Sequence, residues 1–307
     1  MGQPSEADVV EYFTSLSNWG RWGDDDQQGT LNLITPAKVA SSAALVTDGV
    51  RVSCSRRIET TYTPENKNPL LRWMTRSGDA APEHGKGGAA EWIGLQFHGV
   101  SVTHFDAMSH YCWDRKMYNG HPSTLAGTAK GAEVLSIEAV KLGVVSRGVL
   151  LDLPRTLGVP YLEPSFEVTP SLLDEAVEDA ATQVQAGDVL LVRTGRDVSR
   201  ASEGELHDVR TGRAGLRPDC LPWLHEKNVA MLVGDVPHDI RPGRYGFTNP
   251  IHAVALVAMG LALLDNAYLE ELATTCERLT RWTFMFMTSP LLLEGATGSP
   301  VNPLALF

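Results

Sequence analysis

No stretch of this chain is apolar for long enough to cross a bilayer. The longest such run, 253–264, is interrupted by Gly260 and falls short of the ~18 residues a membrane helix needs. The opening MGQPSEADVVEYFTSL has neither a basic region nor an apolar one, so no secretory leader is expected and a cytoplasmic location is. Gly2 opens no lipidation motif, because Glu6 stands where a hydroxyl residue is needed. Cysteine is scarce. Cys54, Cys112, Cys220 and Cys276 are widely spaced with no CxxC pair, which fits reduced thiols and argues against a four-cysteine zinc site. Positive charge is also short: 26 Lys and Arg against 37 Asp and Glu leave a net charge of -11. Nucleic acid and anionic membrane surfaces are therefore poor partners. Walker A and GxGxxG motifs are missing, and neither GRWG nor GATGSP is followed by the helix a phosphate loop requires. A GxSxG elbow is missing too, and no cysteine has a nucleophile's context, which disfavours covalent serine or cysteine catalysis.

What remains is an ordinary globular composition, 43% hydrophobic and 21% charged over 307 residues. Strand and helix patterns alternate without a linker-like break, which points to one α/β domain over 1–307. Helices are expected at 5–17, at 35–49 with Thr35 as N-cap and Pro36 in the first turn, and at 171–184, 221–227, 251–259 and 267–278. A short helix is expected at 137–142. Strands are expected at 50–58, 95–106, 132–135, 148–153, 188–194, 229–233, 261–264 and 281–287. Residues 1–50 read as a helical and loop extension. Residues 288–307 read as a Gly/Pro-rich tail packing on the body or on a partner chain. Residues 61–91 are polar and Gly/Pro/Asn-rich, apart from LLRWM at 70–74, and are expected to form a lid or binding loop.

The chemistry concentrates in WIGLQFHGVSVTHFDAMSHYCWDRKMYNG, 92–120. His98, His104, Asp106 and His110 fall within thirteen residues there, three of the chain's nine histidines beside a carboxylate. If 95–106 is a strand, His98, His104 and Asp106 share a face, since alternate side chains point the same way. His110 follows where the strand would end. Imidazoles and a carboxylate so placed suit a divalent metal or general acid-base work. The bland alternative is a buried polar network tying a strand to a loop.

The run THFDAMSH, 103–110, resembles the THxDxxxH signature of the metal-dependent cyclase family, which includes bacterial-type kynurenine formamidase, isatin hydrolase and trans-dienelactone hydrolase. Further blocks resemble the family in order: NWGRWGDDDQQGTLNLITP, WDRKMYNG, VLLVRTGR, GDVPHD, NPIHAVALVAMGLALLDNAYLEELA and GATGSPVNPLALF. The resemblance implies a swivelling β/β/α cyclase-like fold, a homo-oligomer (dimer or tetramer) and a divalent metal, Zn or Mn. It implies hydrolysis of an amide, imide or lactone in a cyclic or aromatic small molecule. By position, His104 and Asp106 would be metal ligands and also catalytic. His110 would be the acid-base residue or a second-metal ligand. His252 would be the downstream histidine of the site, and Asp265 stands where many members have glutamate. One departure is notable. The fuller motif, HxxxHxDxxxH, puts its first histidine at position 100, where this chain has Val100. His98 lies two residues earlier, ~6.6 Å along a strand, and could replace that ligand only if a bulge or a shifted metal brings it in.

Each of these residues has a plainer reading. His252 on an apolar helix face could be a satisfied core histidine, and Asp265 could cap the helix at 267–278. His84, His121, His207 and His225 read as surface residues. Trp19, Trp22, Trp73, Trp92 and Trp113 gather in loops around the motif and suggest walls of an aromatic pocket. Substrate contacts are thus expected from Trp92, Trp73, Trp22, Tyr118 and His238, although Tyr118 and Asn119 could instead build a turn with Gly120. Two competing readings stand beside the metal hydrolase. One is a ligand-binding or catalytically weak family member with an incomplete metal site. The other is metal-free catalysis by His110 and Asp106.

Overall fold

In the computed structural model, which describes residues 3–80, 82–204, 212–243 and 245–307, the apolar runs of the sequence become the middle of one sheet. Nine strands lie in the order Arg51–Ser53, Leu304–Leu306, Thr283–Thr288, Val144–Asp152, Val189–Arg193, Met231–Gly234, Ala262–Asp265, His104–Asp106 and Gly298–Pro300. The four strands from Val144–Asp152 to Ala262–Asp265 run parallel, and every other pairing in this sheet is antiparallel. The central segments VLLVR and MLVG are buried at every position, as parallel strands covered on both faces must be.

The helices begin where capping chemistry places them. Thr169 and Thr35 each accept a hydrogen bond from the backbone N–H three residues on, ahead of Pro170–Asp179 and Pro36–Ala43, and proline opens both helices. Pro36–Ala43 packs against Val144–Asp152, so residues 1–50 cover part of the sheet. The expected helix at 251–259 is a short α-helix, Pro250–Ala253, that passes into a π-helix, Val254–Met259, whose six residues are all buried. A helix apolar on every side belongs in a core, and π geometry often accompanies a functional site. It stops at Gly260, where φ is +58° and a Cβ would lie 2.5 Å from the Tyr118 ring, so neither the turn nor the packing tolerates a side chain there.

Several expectations change. The helix expected at 35–49 ends at Ala43, and the strand expected at 132–135 is only Gly131–Ala132, in a two-stranded ribbon outside the main sheet. The strand expected over 95–106 forms only at His104–Asp106, because side chains rather than a neighbouring strand take the carbonyls of Gly99, Val100 and Val102. The strand at 50–58 shortens to Arg51–Ser53, with the Arg56 N–H turned to donate to Thr103 Oγ1 at 2.9 Å. Residues 61–91 contain a strand, Leu71–Arg76, that pairs with Ala90–Gly94 and sets Trp73 opposite Trp92. Its charged, solvent-facing sequence and long connection hide it from a periodicity reading. The C-terminal segment is woven into the sheet. Gly298–Pro300 forms one edge, Leu304–Leu306 is an interior strand, and Phe307 is fully buried. Among the described residues, no helix is long and apolar enough to cross a membrane.

Candidate metal centre

The centre is built where Ala262–Asp265 and His104–Asp106 pair. Their antiparallel register sets Asp265 opposite His104. Side-chain alternation turns His104 and Asp106 the same way, while Phe105 packs into the core on the other face. His110 arrives on the 3-10 turn Met108–His110, His252 on Pro250–Ala253, and His238 from the loop beyond Met231–Gly234.

His98 also arrives, from a loop rather than from the strand. Its Nδ1 lies 3.0 Å from Asp106 Oδ1 without the alignment of a hydrogen bond. Its Nε2 sits 3.1 Å from Thr297 Oγ1, and its ring stacks on His110 with centroids 3.8 Å apart. His104 Nδ1–H donates to the Val102 carbonyl at 2.8 Å. That bond leaves its Nε2 facing inward, 3.4 Å from Asp106 Oδ1 and 4.0 Å from Asp265 Oδ2. His252 Nδ1 meets Asp239 Oδ2 at 2.5 Å, and its Nε2 lies 3.1 Å from Asp265 Oδ2 and 3.7 Å from Asp106 Oδ2. His238 Nε2 lies 3.2 Å from Asp265 Oδ1, and His110 Nε2 lies 3.9 Å from Asp106 Oδ1.

These groups are out of water. Asp106, Asp265, Asp239, His104, His238 and His252 are all buried. Burial raises the Asp106 carboxyl, but His110, His104, His98 and His252 outweigh it and hold it well below the usual carboxylate range. Asp265 is lowered likewise: burial opposes, and His252 and His238 prevail. Burial pushes His110 and His238 down to about 4 against the pull of Asp106 and Asp265 respectively. His252 goes the other way. Burial would lower it, but Asp265 and Asp239 raise it well above its ordinary value.

Both oxygens of Asp106, Oδ1 of Asp265, Nδ1 of His98 and Nε2 of His238 are buried and lack a hydrogen-bond partner. A buried polar atom so left is costly, and most of these five atoms belong to residues grouped closely enough to share a cation. The potential donor atoms of His98, Asp106 and His110, and those of His104, Asp106 and Asp265, each lie within 4.8 Å of one another. Nitrogen and oxygen donors of this kind fit a divalent ion such as zinc or manganese. His104 and His252 also have the second partner typical of ligating histidines, a carbonyl in one case and a carboxylate in the other.

The family model named Cyclase matches residues 53–238. The chain belongs to the Cyclase family. It is similar to the crystal structure of a novel cyclase, 31% identical, with a TM-score of 0.85 over 95% of this chain and 100% of that one. It also shares the fold of isatin hydrolase A from Labrenzia aggregata (18% identity, TM-score 0.60, 88% of this chain and 97% of that one) and from Ralstonia solanacearum (18% identity, TM-score 0.60, 88% and 95%). A search of curated proteins found no match. The curled, mixed α/β sheet is the cyclase fold that the sequence blocks pointed to.

The expected pocket walls lie elsewhere. Tyr118 is wholly buried and its hydroxyl donates to Asp26 Oδ2 at 3.0 Å. It belongs to the turn that Asn119 builds at φ +58° with bonds to Gly23 and Asp24, so the plainer reading of YNG is the one seen. Trp73 and Trp92 stack at 3.9 Å on the hairpin, about half exposed. Trp22 lies half-buried under the Arg21 guanidinium. Trp113 stacks on Phe13, and Trp19 Nε1 donates to the Val257 carbonyl. Trp19 and Trp113 thus brace the fold, whereas Trp73 and Trp92 stack on each other on an exposed hairpin. Loop residues in a sequence carry no direction, and aromatic density alone misled. Of the expected substrate residues, His238 alone joins the cluster. His84 is exposed, His121 and His225 are half-buried outside the cluster, and His207 lies outside the described residues.

Asp265 caps no helix, since Glu270–Leu279 begins at Leu269 without a side-chain cap. Asp239 joins the site through His252 with no expectation from the sequence behind it, although it stands in GDVPHD beside His238. Tyr111 is likewise unforeseen. The Tyr111 ring lies between His110 and His252, with centroids 5.2 and 5.5 Å away, and its hydroxyl bonds Asn249. A cavity of about 180 Å³ lies beside Val102, lined by Arg56, Arg196, Asp197 and Tyr268 and by none of the cluster residues. Arg56 there is paired with both oxygens of Asp197 at 2.8 and 2.7 Å.

Proposed function

We propose that the protein is a metal-dependent hydrolase that opens an amide, imide or lactone in a cyclic or aromatic small molecule. The observation that carries this reading is the set of unpartnered buried oxygens and nitrogens around Asp106. His98, His104, Asp106 and Asp265 would hold the cation, Zn or Mn, with His252 beside them. When bound, the cation supplies Lewis acidity, which activates water and offsets charge on a carbonyl oxygen.

The protein's own groups divide the remaining work. His110, kept neutral by burial and 25% exposed at the mouth of the cluster, takes a proton from the attacking water and returns it to the leaving nitrogen or oxygen. Asp239 fixes the His252 tautomer and so aims Nε2 at Asp265. The Tyr111 ring, between the two histidines, offers an apolar face to a flat substrate. The protruding hairpin, with Leu71, Trp73, Met74, Trp92 and Ile93 all exposed, supports a homo-oligomer in a cytoplasmic protein, since so much apolar surface on a two-stranded ribbon is usually covered.

The test is metal content after loading with zinc or manganese, paired with His104→Ala and a panel of arylformamides, cyclic imides and lactones. Stoichiometric metal and turnover that both vanish in His104→Ala are expected. Failure to take up either metal would sink the metal-dependent reading and leave a ligand-binding family member. Turnover surviving exhaustive chelation would leave the metal-free acid-base pair.

A further inference from the structure

His98 reaches the cluster although no strand carries it there. The segment that presents it, 98–103, has its backbone gripped by two buried side chains. Asn266 Nδ2 donates to the carbonyls of Gly99 at 2.8 Å and Val102 at 3.1 Å. Arg196 Nη2 donates to the Val100 carbonyl at 2.6 Å, and its Nη1 to Asn266 Oδ1 at 2.8 Å. Thr103 Oγ1 closes the set by donating to the Asn266 carbonyl at 2.6 Å. Asn266 is fully buried and Arg196 is 4% exposed.

These bonds have a consequence for direction. Three carbonyls that would pair with a neighbouring strand are bonded instead to side chains, so the ladder ends at His104. Gly99 adopts φ +138°, a conformation that favours glycine, and the chain turns there. That turn brings His98 to within 3.0 Å of Asp106, which an extended chain, rising ~3.3 Å per residue, would not do. Asn266 takes a left-handed conformation at φ +56°, tolerated by asparagine. Its neighbour Asp265 enters the cluster while its own amide holds the loop.

We propose that Asn266 and Arg196 are positioning residues, and that their grip on residues 99–102 places His98 over Asp106. The proposal rests on the reading that the cluster holds a divalent cation, and it adds how a loop residue is delivered to that cluster as a ligand. The carbonyls themselves cannot be mutated, so the grip is tested from both sides. Asn266→Asp keeps the shape but removes both N–H donors. Gly99→Ala leaves Asn266 and Arg196 in place, and a Cβ there meets nothing within 4 Å, so it disturbs only the turn.

Cobalt(II) titration followed by the visible absorption of the bound ion is the primary readout, with thermal melting to confirm folding. Each variant should weaken Co²⁺ binding about 10- to 100-fold, as should His98→Ala. Neither should weaken it further when combined with His98→Ala. Full affinity in both variants would overturn the proposal, and so would an undiminished loss in the His98→Ala background. If the unmodified protein takes up no Co²⁺, the metal reading fails, and the positioning is judged in the metal-free protein by NMR. The ring-to-ring contact of His98 with His110 should be present there and lost in both variants. Its persistence would overturn the proposal independently of the metal.

Discussion

Asp265 faces His104 across an antiparallel pair of strands, and their side chains meet at 4.0 Å over the Asp106 carboxylate. Two residues 161 positions apart in the chain are thereby fixed by backbone register alone. Substitutions around this pair should consequently separate effects on chemistry from effects on folding.

Asp239→Asn keeps the size of the side chain but withdraws the charge that orients His252. Both Asp239 oxygens also accept backbone N–H bonds, from Ile251 at 2.7 Å and His252 at 3.4 Å, so some stability loss will accompany it. Metal affinity or kcat/KM should fall on the order of 10- to 100-fold. In the metal-free protein the His252 ¹⁵N shifts should show the imidazolium losing its proton at lower pH, which a purely structural defect would not produce. Unchanged titration of His252 with unchanged affinity would remove Asp239 from the site.

The metal-free protein should lose stability as pH falls from about 6.5 to about 4. His110 and His238 have folded values near 4, below the ordinary 6.5. Between those limits the unfolded chain binds protons that the folded chain refuses, so stability rises with pH. His252 adds no slope there, because it is protonated in both states below 6.5. Asp106 and Asp265 act only below 3.8. Each of the two histidines is worth on the order of 2–3 kcal/mol across the window, and His110→Asn should flatten the profile seen by denaturant melts at successive pH values.

One thiol should react and three should not. Cys112 is exposed, whereas Cys54, Cys220 and Cys276 are buried. Burial raises the Cys54 thiol to about 12 and lifts the other two as well, so none of the three offers thiolate at pH 8. Iodoacetamide followed by mass spectrometry should find a single adduct on the native protein and four after denaturation.

Tyr118→Phe should lower stability by about 1 kcal/mol through the lost bond to Asp26 and leave KM and kcat near those of the unmodified enzyme. A raised KM with unchanged stability would return Tyr118 to the substrate site.

Much of the sheet could be read from sequence because its central strands are continuous apolar runs, VLLVR and MLVG, flanked by turn residues. His104, Asp106 and His110 were likewise legible, being close in sequence and of one chemical kind. The partners that complete the cluster were harder to see. Asp265 could be foreseen only through family likeness, since its proximity to His104 is a matter of strand register. His98 was foreseen in the wrong setting: alternation along a strand put it on the right face, whereas a loop held by Asn266 and Arg196 delivers it. The hydrogen bonds responsible run from side chains to backbone carbonyls, which leave no periodic trace in the sequence. Tyr118, Trp19 and Trp113 show the converse error, in which chemically suggestive residues near a motif turn out to brace the fold around it.

The strand bearing His104 and Asp106 has as its two neighbours segments that follow much later in the chain, Ala262–Asp265 and Gly298–Pro300. His98 similarly meets Thr297, 199 positions on. During synthesis this strand therefore emerges early and waits with both edges bare until nearly the whole chain is available. Such non-local pairing is slow to form and exposed to misassembly meanwhile. The centre should be among the last parts of the molecule to mature, and a ribosome-stalled chain ending before residue 297 should hold a folded parallel core yet bind no metal.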